Sequence, residues 1–561
     1  MTDIKAILDR FGELKSERST WNQQYQVVGE YISQNKQNFE TTHTAGEFLN
    51  DETFDSTGTF AAHNAASALL GMLWPASAKQ SIEIVPPDDI ELNAELQEFY
   101  AERMTKRGAR AMDDPKANLS LSLDEYMLDQ MIFGTSGVGV EAGRETKLLY
   151  APYGVKEVYI EEGAGGRVAS IWLSFEWTVN RAIDEYGVDA VSDSLRKKYE
   201  DGNRSEKVSI IHVMRPRMEA KAEAGVLAMP IESLHIEAET KHMLKEEVFN
   251  ELPIAIGRFR KLNYEKYGRS PAMMALPDVR EANALREAVI VATEKVLDMP
   301  KGVFNDGVLG GGIIDTSAKA INVFNDSGSG SPIFDIGTPP DINAALARLE
   351  ELKNNISQHF HIDRLLDFNN QQQMTFGEAQ IRNQIRTASL SGLFARQIGE
   401  LFTPLIERSI NILFRAGEFG VVAGSDEEQD LIDAGYEDIE YIPDVLVERL
   451  EKGESIYEVR YKTQAAQASR GEDYLSIIDV VQFATQAMQI DPELQFRVNL
   501  HEAVKEIADI RSVPAGIIRA DEEVAELKEA MMQAQQQQQE MDQLQQGAQI
   551  AKDVAPLIEG Q

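Results

Sequence analysis

The chain has 561 residues, with 92 acidic against 55 basic side chains and a formal net charge of −37. An acid excess of this size argues against a protein that grips nucleic acid by neutralising its phosphates. The absence of cysteine excludes disulfides, thiolate nucleophiles and cysteine-ligated metals, and no run of about 18 apolar residues predicts a membrane span.

The first 75 residues are predicted to be mostly helical, because apolar side chains recur there at helical spacing. Asp55–Thr57 caps an alanine-rich helix over Phe60–Leu73, and Ser81–Pro86 alternates like a strand. Further helices are predicted at 93–111 and 119–133. The residues that carry the spacing at the start of the chain are Leu8, Phe11, Leu14, Trp21, Tyr25, Val28 and Tyr31.

A β-rich region is predicted over about 138–262, so the chain reads as an α+β protein that is mainly helical. Its last strand is basic, and Arg258, Arg260 and Lys261 are interpreted as solvated charge at a strand edge rather than as phosphate contacts. The candidate strands are Gly137–Ala142, Val155–Ile160, Ser170–Trp177, Val208–Arg215, Ser233–Glu237, Glu247–Glu251 and Ile254–Asn263.

The segment 267–420 is the most informative part of the chain, because two long helices surround a glycine-rich insert and a polar loop follows them. We interpret Gly310–Gly312 within the insert as part of a mobile loop. The first helix places Leu285, Val289, Ala292 and Val296 on one face and Asn283, Glu287 and Glu294 away from it.

The second helix is predicted to begin with Thr338 as its N-cap and Pro339 at its first position. A third helix begins at Thr375, with Glu378 completing a capping box, and Pro404 must kink it. The apolar stripe of the second helix is Ile342, Ala345, Leu346, Leu349, Leu352, Ile356 and Phe360.

The remainder of the chain is acidic over 418–454, and a short strand is predicted at Tyr457–Lys462. Helices are predicted at 465–487, at 492–510 and from 522 onward. The glutamine-rich run at 535–539 predicts either a helix packed in an oligomer or a disordered tail.

No catalytic or metal-binding constellation emerges from the motifs. Gly134, Gly137 and Gly139 follow a helix rather than a strand and lack the P-loop lysine, which disfavours a nucleotide loop. The two-residue spacing of His359 and His361 directs their side chains to different faces of a helix, which disfavours a metal site. The sequence therefore predicts no catalytic residue, no metal and no cofactor.

Several local patterns, in this order and spacing, resemble those of the head-to-tail connector, or portal, proteins of short-tailed bacteriophages. The resemblance runs from about Trp21 to Glu529. Its carriers are Asp55–Thr57 with the helix that ends at Leu73–Pro75, Phe133–Gly137, Tyr267–Pro271, Leu276–Asp278, Thr375–Glu378, Pro404–Arg408 and Arg415–Gly417.

The resemblance implies a homo-oligomeric ring, typically of twelve subunits, at one vertex of a capsid. Double-stranded DNA would be packaged and ejected through it without sequence specificity, and no enzymatic activity is implied. The implied partners are the large terminase subunit, tail adaptor and tail proteins, and capsid and scaffolding proteins. The implied location is the virion, after assembly in the host cytoplasm.

The family also has named regions, and the resemblance places them on this chain. They are a wing over 1–265, a first stem helix over 266–297, a clip over 298–338, a second stem helix over 339–362, a tunnel loop over 363–374, a kinked wing helix over 375–420, a crown over 421–530, and a tail over 531–561 as a helical barrel or disordered.

This mapping implies three groups of functional residues. The tunnel residues that would face DNA are Arg364, Asn369, Asn370, Gln371, Gln372 and Gln373. The residues for partner docking at the clip are Phe304, Asn305, Asp306 and Phe324. The residues for stem contacts between subunits are Arg348 and Glu351.

Two other functions stay open at this point. One is a metal-dependent nucleic-acid-processing enzyme that uses scattered carboxylates, and the other is a virion structural protein without a channel. A metal-dependent activity of the purified chain would favour the first, and images without a central hole would favour the second.

Overall fold

A computed structural model gives the fold of the chain. Within the described ranges, side chains are not described at positions 80, 304–305, 325, 334, 363–364 and 451. The described residues are 3–33, 38–41, 46–47, 53–75, 77–87, 89–90, 92–217, 230–305, 314–325, 333–336, 341–365, 390–425, 428–429, 432, 439–463, 477–484, 503–504 and 507.

The chain divides into two compact units. Unit one contains the described residues within Met1–Ser81, Arg110–Ala416 and Thr463–Ser469, and unit two those within Ile82–Ala109, Gly417–Lys462 and Arg470–Gln561. The secondary structure is a mixture of helix and sheet, which confirms the predicted α+β class. None of the described helices is both long and apolar enough to cross a membrane.

Most of the helices belong to unit one. The predicted helices at 60–73 and 119–133 are confirmed, although the first begins earlier, at Thr57, whereas the pair at 179–200 was not predicted. The helices are α1 (Ile4–Glu17), α2 (Ser19–Ile32), α3 (Thr57–Leu73), α4 (Ala78–Ser81), α5 (Ala94–Glu98), a π-helix (Phe99–Arg107), α6 (Gly108–Met112), α7 (Leu119–Phe133), α8 (Val179–Tyr186), α9 (Asp193–Glu200), α10 (Pro271–Leu297), α11 (Asn343–His359), α12 (Ile362–Leu365), α13 (Thr403–Arg415) and α14 (Asp444–Lys452).

Thirteen strands lie within the described residues, and they form four sheets. The sheet orders are β4-β5-β6-β7-β8, β3-β2-β9, β11-β10-β12 and β1-β13. The strands are β1 (Ile82–Val85), β2 (Thr135–Glu141), β3 (Leu149–Gly154), β4 (Val158–Glu162), β5 (Val168–Thr178), β6 (Lys207–Pro216), β7 (Ile231–Glu237), β8 (His242–Phe249), β9 (Ile254–Arg258), β10 (Lys301–Asn305), β11 (Ile321–Asn325), β12 (Ile333–Asp335) and β13 (Glu458–Tyr461).

The five-stranded sheet of unit one is antiparallel throughout and buries both of its faces in part. One face packs Trp172, Val213 and Leu234 against Phe11 and Leu14 of α1. The other face packs against α8 and α9, where Ile183 and Leu195 join a second apolar cluster. The two faces follow from the alternation of side chains along each strand.

A buried arginine explains why the first predicted helix is in fact two. Arg18 lies between α1 and α2 and is 2% exposed. Its guanidinium donates to the carbonyl oxygens of Val155 and Val158 at 2.7 and 2.6 Å and to that of Lys156 at 2.9 Å. These bonds satisfy carbonyl groups at the start of β4 and in the residues just before it. The helical spacing alone gave no sign of this role.

Unit two is built around the two-stranded sheet of β1 and β13, in which Ile82 pairs with Tyr461. The π-helix Phe99–Arg107 packs on β1, and Arg107 forms an ion pair with Glu440. Residues 82–109 thus share a unit with residues beyond 417, although the family mapping assigns the two stretches to different regions. The region boundaries stay a prediction.

Candidate functional site

The two long helices predicted around the glycine-rich insert are α10 and α11, and they pack against each other. The predicted stripe of α11 is buried in its second half, at Leu349, Leu352 and Ile356. In its first half Leu346 remains 40% exposed. We call α10 and α11 the central helix pair.

The start of α11 differs from the prediction. Residues 341 and 342 are not helical, and the side chain of Asp341 accepts a hydrogen bond from the backbone N–H of Asn343 at 2.9 Å. The predicted N-cap, Thr338, lies outside the described residues. A helix that begins at 339 is therefore wrong, because Asp341 forms the local turn instead.

Ion pairs join the two helices on their exposed side. Arg348 of α11 donates to Glu281 of α10 at 2.9 Å and to Glu351 on its own helix at 2.9 Å. These hydrogen bonds raise the pKa of Arg348 above its usual value, and the one from Arg348 lowers the pKa of Glu281. His359 lies 3.2 Å from Asp278 across the same pair.

Asn283 was predicted to point away from the packed face of α10, and this was wrong. The residue is 8% exposed, and its Oδ1 accepts hydrogen bonds from the backbone N–H groups of Phe54 and Asp55 at 2.7 and 3.1 Å. A buried amide is thus satisfied by backbone donors. It attaches the segment before α3 to the first helix of the central pair.

The insert between the helices contains a three-stranded sheet that the sequence analysis missed. β11 pairs with β10 in parallel and β12 pairs with β10 antiparallel. Val303 stands opposite Val323 on one side and Ile333 on the other, so these three form one cross-strand row. Val323 and Ile333 are 47% and 56% exposed. The row is therefore an apolar surface.

Two sequence motifs that carry the family resemblance meet at the start of α10. Gly134 ends α7 with a left-handed φ of 78°, and a Cβ there would lie 2.6 Å from the carbonyl oxygen of Gly268. The hydroxyl of Thr135 accepts from the Gly268 N–H at 2.8 Å. The side chain of Ser270 donates to the Ile132 carbonyl at 2.7 Å and accepts from the Met273 N–H as the N-cap of α10. The central helix pair is thereby fixed to α7.

Arg258 is buried, which corrects its interpretation as solvated charge at a strand edge. It is 1% exposed, and its guanidinium pairs with Glu400 at 2.8 Å and with Glu162. Its backbone N–H and its Nε also donate to Glu400, at 3.0 and 3.1 Å. Lys261 pairs with Glu162 at 2.7 Å and is 12% exposed at its side chain. Of the three basic residues, Arg260 alone is exposed.

The third helix shows an irregularity where Pro404 was predicted to kink it. Residues 390–397 are helical, Ile398–Phe402 is π-helical, and α13 follows. Pro404 has no N–H to bond the carbonyl oxygen of Glu400, and the wider π turn lies immediately before it. The predicted capping box at Thr375 and Glu378 lies outside the described residues.

A second polar cluster lies on the five-stranded sheet. The rings of His212 and His235 stack with centroids 3.7 Å apart. His212 Nε2 is 2.8 Å from Ser233 Oγ, and His235 Nδ1 is 2.9 Å from the Tyr186 hydroxyl. His212, Ser233 and His235 line a cavity of about 740 Å³. The charged side chains that also line this cavity are Glu141, Arg144, Glu145, Lys147, Glu185, Lys245, Glu247, Arg408 and Arg415.

Burial, with the nearby Lys245, lowers the pKa of His235 to about 4. The unfolded chain binds this proton near pH 6.5, so the unfolded state holds more protons between pH 6.5 and 4. We expect the contribution of neutral His235 to the free energy of unfolding to be complete above pH 6.5. It should fall by about 3 kcal/mol as the pH drops to about 4. Urea denaturation at pH 7.5 and 4.5 measures this loss.

The substitution His235→Asn tests that expectation, because its side-chain oxygen can still accept from the Tyr186 hydroxyl. The variant should lose less stability between the two pH values than the parent chain. His63→Asn, on the exposed side of α3, is the matched control and should keep the parent's pH dependence. An unchanged dependence in His235→Asn would contradict the role of this imidazole.

The predicted site residues are described to different extents. Phe304 and Asn305 lie in β10, opposite Phe324 and Asn325 of β11, and Phe324 is half-buried. The backbone of Arg364 lies in α12, but its side chain is not described. Asp306 and Asn369–Gln373 lie outside the described residues. The structure therefore places Arg348 and Glu351 together and leaves the tunnel residues untested.

Within the described ranges, no group of three or more histidine, aspartate or glutamate side chains is arranged to hold a metal ion. His361 is instead 3.3 Å from Arg260. One signal for the missed sheet is present in the sequence. It is the repeated triplet of Val303–Asn305 and Val323–Asn325, which pair in register.

Comparison with known proteins gives matches over nearly the whole chain. A family model described as bacteriophage head to tail connecting protein matches residues 4–518. The portal protein of Salmonella phage epsilon15 is 22% identical, over 99% of this chain and 96% of that protein. A probable portal protein of Bordetella phage BPP-1 is 24% identical, over 74% of this chain and 75% of that protein. A chain of the virion of a native gene transfer agent particle is 12% identical, over 70% of this chain and 94% of that chain, with a TM-score of 0.27.

Proposed function

The chain belongs to the family of bacteriophage head-to-tail connecting proteins, and we propose that it forms a ring channel at one capsid vertex. Double-stranded DNA would pass through this channel during packaging and ejection. The family membership confirms the resemblance to phage portal proteins. Such proteins are structural parts of the virion rather than enzymes, so the prediction of a non-enzymatic protein is also confirmed.

The observation that carries the proposal is the extent of the family match. Residues 4–518 include both helices of the central pair, the small sheet between them and both compact units. The match is therefore to a whole connector protein and not to one widespread subdomain. The ring, its typical twelve copies and the assembly of the virion in the host cytoplasm are parts of the proposal.

The acidic composition supports passage of DNA rather than its retention. A net charge of −37 makes tight binding of phosphates unfavourable, so DNA can slide past a wall that repels it mildly. In the proposal, Arg364 and the amide side chains of Asn369–Gln373 face the DNA and offer contacts that do not depend on sequence.

The apolar row of Val303, Val323 and Ile333 supports a docking role for the insert. Exposed apolar side chains that lie side by side are typical of surfaces that other proteins cover. We propose that the large terminase subunit docks here during packaging and that tail adaptors replace it. Phe304 and Asn305 belong to β10 and Phe324 to β11, and Asp306 is the next residue in the sequence after β10. Capsid, scaffolding and tail proteins are the further proposed partners.

Arg348 and Glu351 are proposed to take part in contacts between neighbouring subunits as well as within one chain. The Arg348 side chain is 44% exposed while it bonds Glu281 and Glu351. Some of its donors therefore remain accessible to a second copy. An exposed ion pair contributes little to stability, so this one would determine the register between subunits more than the affinity.

Negative-stain electron microscopy of the purified chain tests the proposal. We expect rings with a central hole, and images without a hole would favour a structural protein that has no channel. A nuclease assay with added magnesium or manganese on the same sample tests the enzymatic alternative. Metal-dependent cleavage that copurifies with the chain would contradict the proposed function.

A further inference from the structure

A groove of about 590 Å³ lies in unit one between the strand β9 and the helical residues 390–404. The loop at Gly165 and Gly166 forms one of its edges. Apolar side chains of Ile171, Leu252 and Ile254 contribute to its floor. We call it the glycine groove, after Gly392 and Gly399 in its helical wall.

One strip of the helical wall of the groove carries no side chain larger than a methyl group. Gly392, Ala395 and Gly399 lie three and four residues apart, which puts them on one helix face. A Cβ added at Gly392 or Gly399 would meet no atom of the described residues within 4 Å. Packing among those residues therefore does not require these glycines, although glycine inside a helix costs roughly 0.5–1 kcal/mol relative to alanine. A close approach from outside the chain would require them.

The groove is basic on a strongly acidic chain. Arg167, Lys261 and Arg396 line it, with Glu400 as the acidic side chain of the lining, which gives a local charge of +2 against −37 for the whole chain. Arg258 and Glu162 are not part of the lining, and their opposite charges form an ion pair. Lys261 and Arg396 are already paired, whereas the exposed Arg167 forms no ion pair with any described side chain. Arg167 is thus available to an incoming carboxylate.

We propose that the glycine groove receives an acidic surface segment of a second copy of this chain. The inference rests on the proposed function and deepens it, because it names the place where two subunits meet. Contacts that close a ring are heterologous, so two different patches of each copy face each other. A basic patch on one copy then needs an acidic patch on the next, and the chain has 92 acidic residues to supply it.

The test is the oligomeric state of the full chain, measured by sedimentation velocity and mass photometry over a range of concentrations. The double variant Gly392→Leu and Gly399→Leu places two apolar side chains in the groove at positions where a Cβ meets no atom of the described residues within 4 Å. Gly12→Leu is the matched control, because Gly12 lies on the exposed side of α1 and a Cβ there also meets nothing within 4 Å. Arg167→Glu is the second variant and reverses the available charge.

We expect the parent chain and Gly12→Leu to assemble alike, and the groove variant to dissociate at a concentration at least about tenfold higher. Arg167→Glu should also weaken assembly. Added salt should weaken assembly of the parent chain more than assembly of this variant. Thermal unfolding by circular dichroism checks that each variant folds. If the groove variant fails to fold, the charge variant decides the question.

The outcomes separate this inference from the proposed function. A parent chain that forms no oligomer would contradict the proposed function itself. A parent that forms rings, together with groove and charge variants that form the same rings, would contradict only the inference. Variants that assemble normally but no longer bind a DNA duplex would show that the groove binds DNA. This result would also contradict the inference.

Discussion

Replacement of Arg258 with methionine is expected to lower the free energy of unfolding of unit one by about 3 kcal/mol. The substitution keeps most of the buried volume but removes the guanidinium that Glu400 and Glu162 share. Breaking a buried ion pair on one side costs about 3–5 kcal/mol, because the remaining charge is left buried without its partner. We expect the lower end, since Glu162 keeps Lys261 and Glu400 keeps Arg396.

The matched control for this substitution is Arg260→Met, two residues further along the chain. Arg260 is exposed, and within the described residues its guanidinium forms one hydrogen bond, with His361 at 3.3 Å. Its loss should therefore change the free energy of unfolding by no more than about 0.5 kcal/mol. Chemical denaturation followed by tryptophan fluorescence measures both. Equal effects of the two substitutions would show that the buried network does not stabilise the fold.

The double variant Arg258→Met with Glu400→Gln sharpens the assignment. Removing the carboxylate along with the guanidinium leaves one fewer unpaired charge, so part of the lost stability should return. A double variant that is as unstable as the sum of the single variants would mean that Arg258 and Glu400 act independently. The coupling therefore distinguishes a charge network from simple packing.

Arg258 also shows why the sequence predicted helices and strands better than it predicted the burial and partners of individual side chains. Alternating and helical spacing depend on neighbours along the chain, so α3, α7 and most strands of the five-stranded sheet were predictable. The burial of Arg258 depends on Glu400, which lies 142 residues away along the chain. Arg18 is a similar case, because its carbonyl partners lie more than 130 residues away.

The candidate site was predictable to the same limited degree. The pattern of α11 gave Leu349, Leu352 and Ile356 as its packed face, and all three are buried. The small sheet was missed because its strands have only three to five residues and stand among glycines. Strands this short give too few alternating positions to distinguish them from a loop. The family resemblance placed a docking element there without giving its structure.

The close approach of Gly134 and Gly268 leads to the second large expected effect. Gly134→Ala should lower the free energy of unfolding of unit one by about 3 kcal/mol, from a left-handed backbone cost of about 1–2 kcal/mol and an overpacking cost of about 1–3 kcal/mol. The new Cβ would lie 2.6 Å from the Gly268 carbonyl oxygen and 2.8 Å from the Ser270 nitrogen. Both contacts are with backbone atoms, so no flexible side chain can move aside.

Gly165→Ala separates the two contributions. Gly165 has a φ of 74° and a ψ of 9°, close to the 78° and −3° of Gly134, but a Cβ there meets nothing within 4 Å. Its substitution should therefore cost only the backbone part, about 1–2 kcal/mol, in the same denaturation experiment. A Gly134→Ala variant no less stable than Gly165→Ala would show that the contact with Gly268 is not tight.

The same substitution links the packing of one chain to the proposed ring. Gly268 and Ser270 precede the first turn of α10, so a forced separation from Gly134 would shift the start of the central helix pair relative to α7. In a closed ring a shift within each copy is repeated at every contact, because all copies are related by the same rotation. We therefore expect the part of Gly134→Ala that still folds to give fewer closed rings in negative-stain images than the parent chain. Equal ring yields from folded material would mean that this anchor stabilises the subunit without setting its assembly.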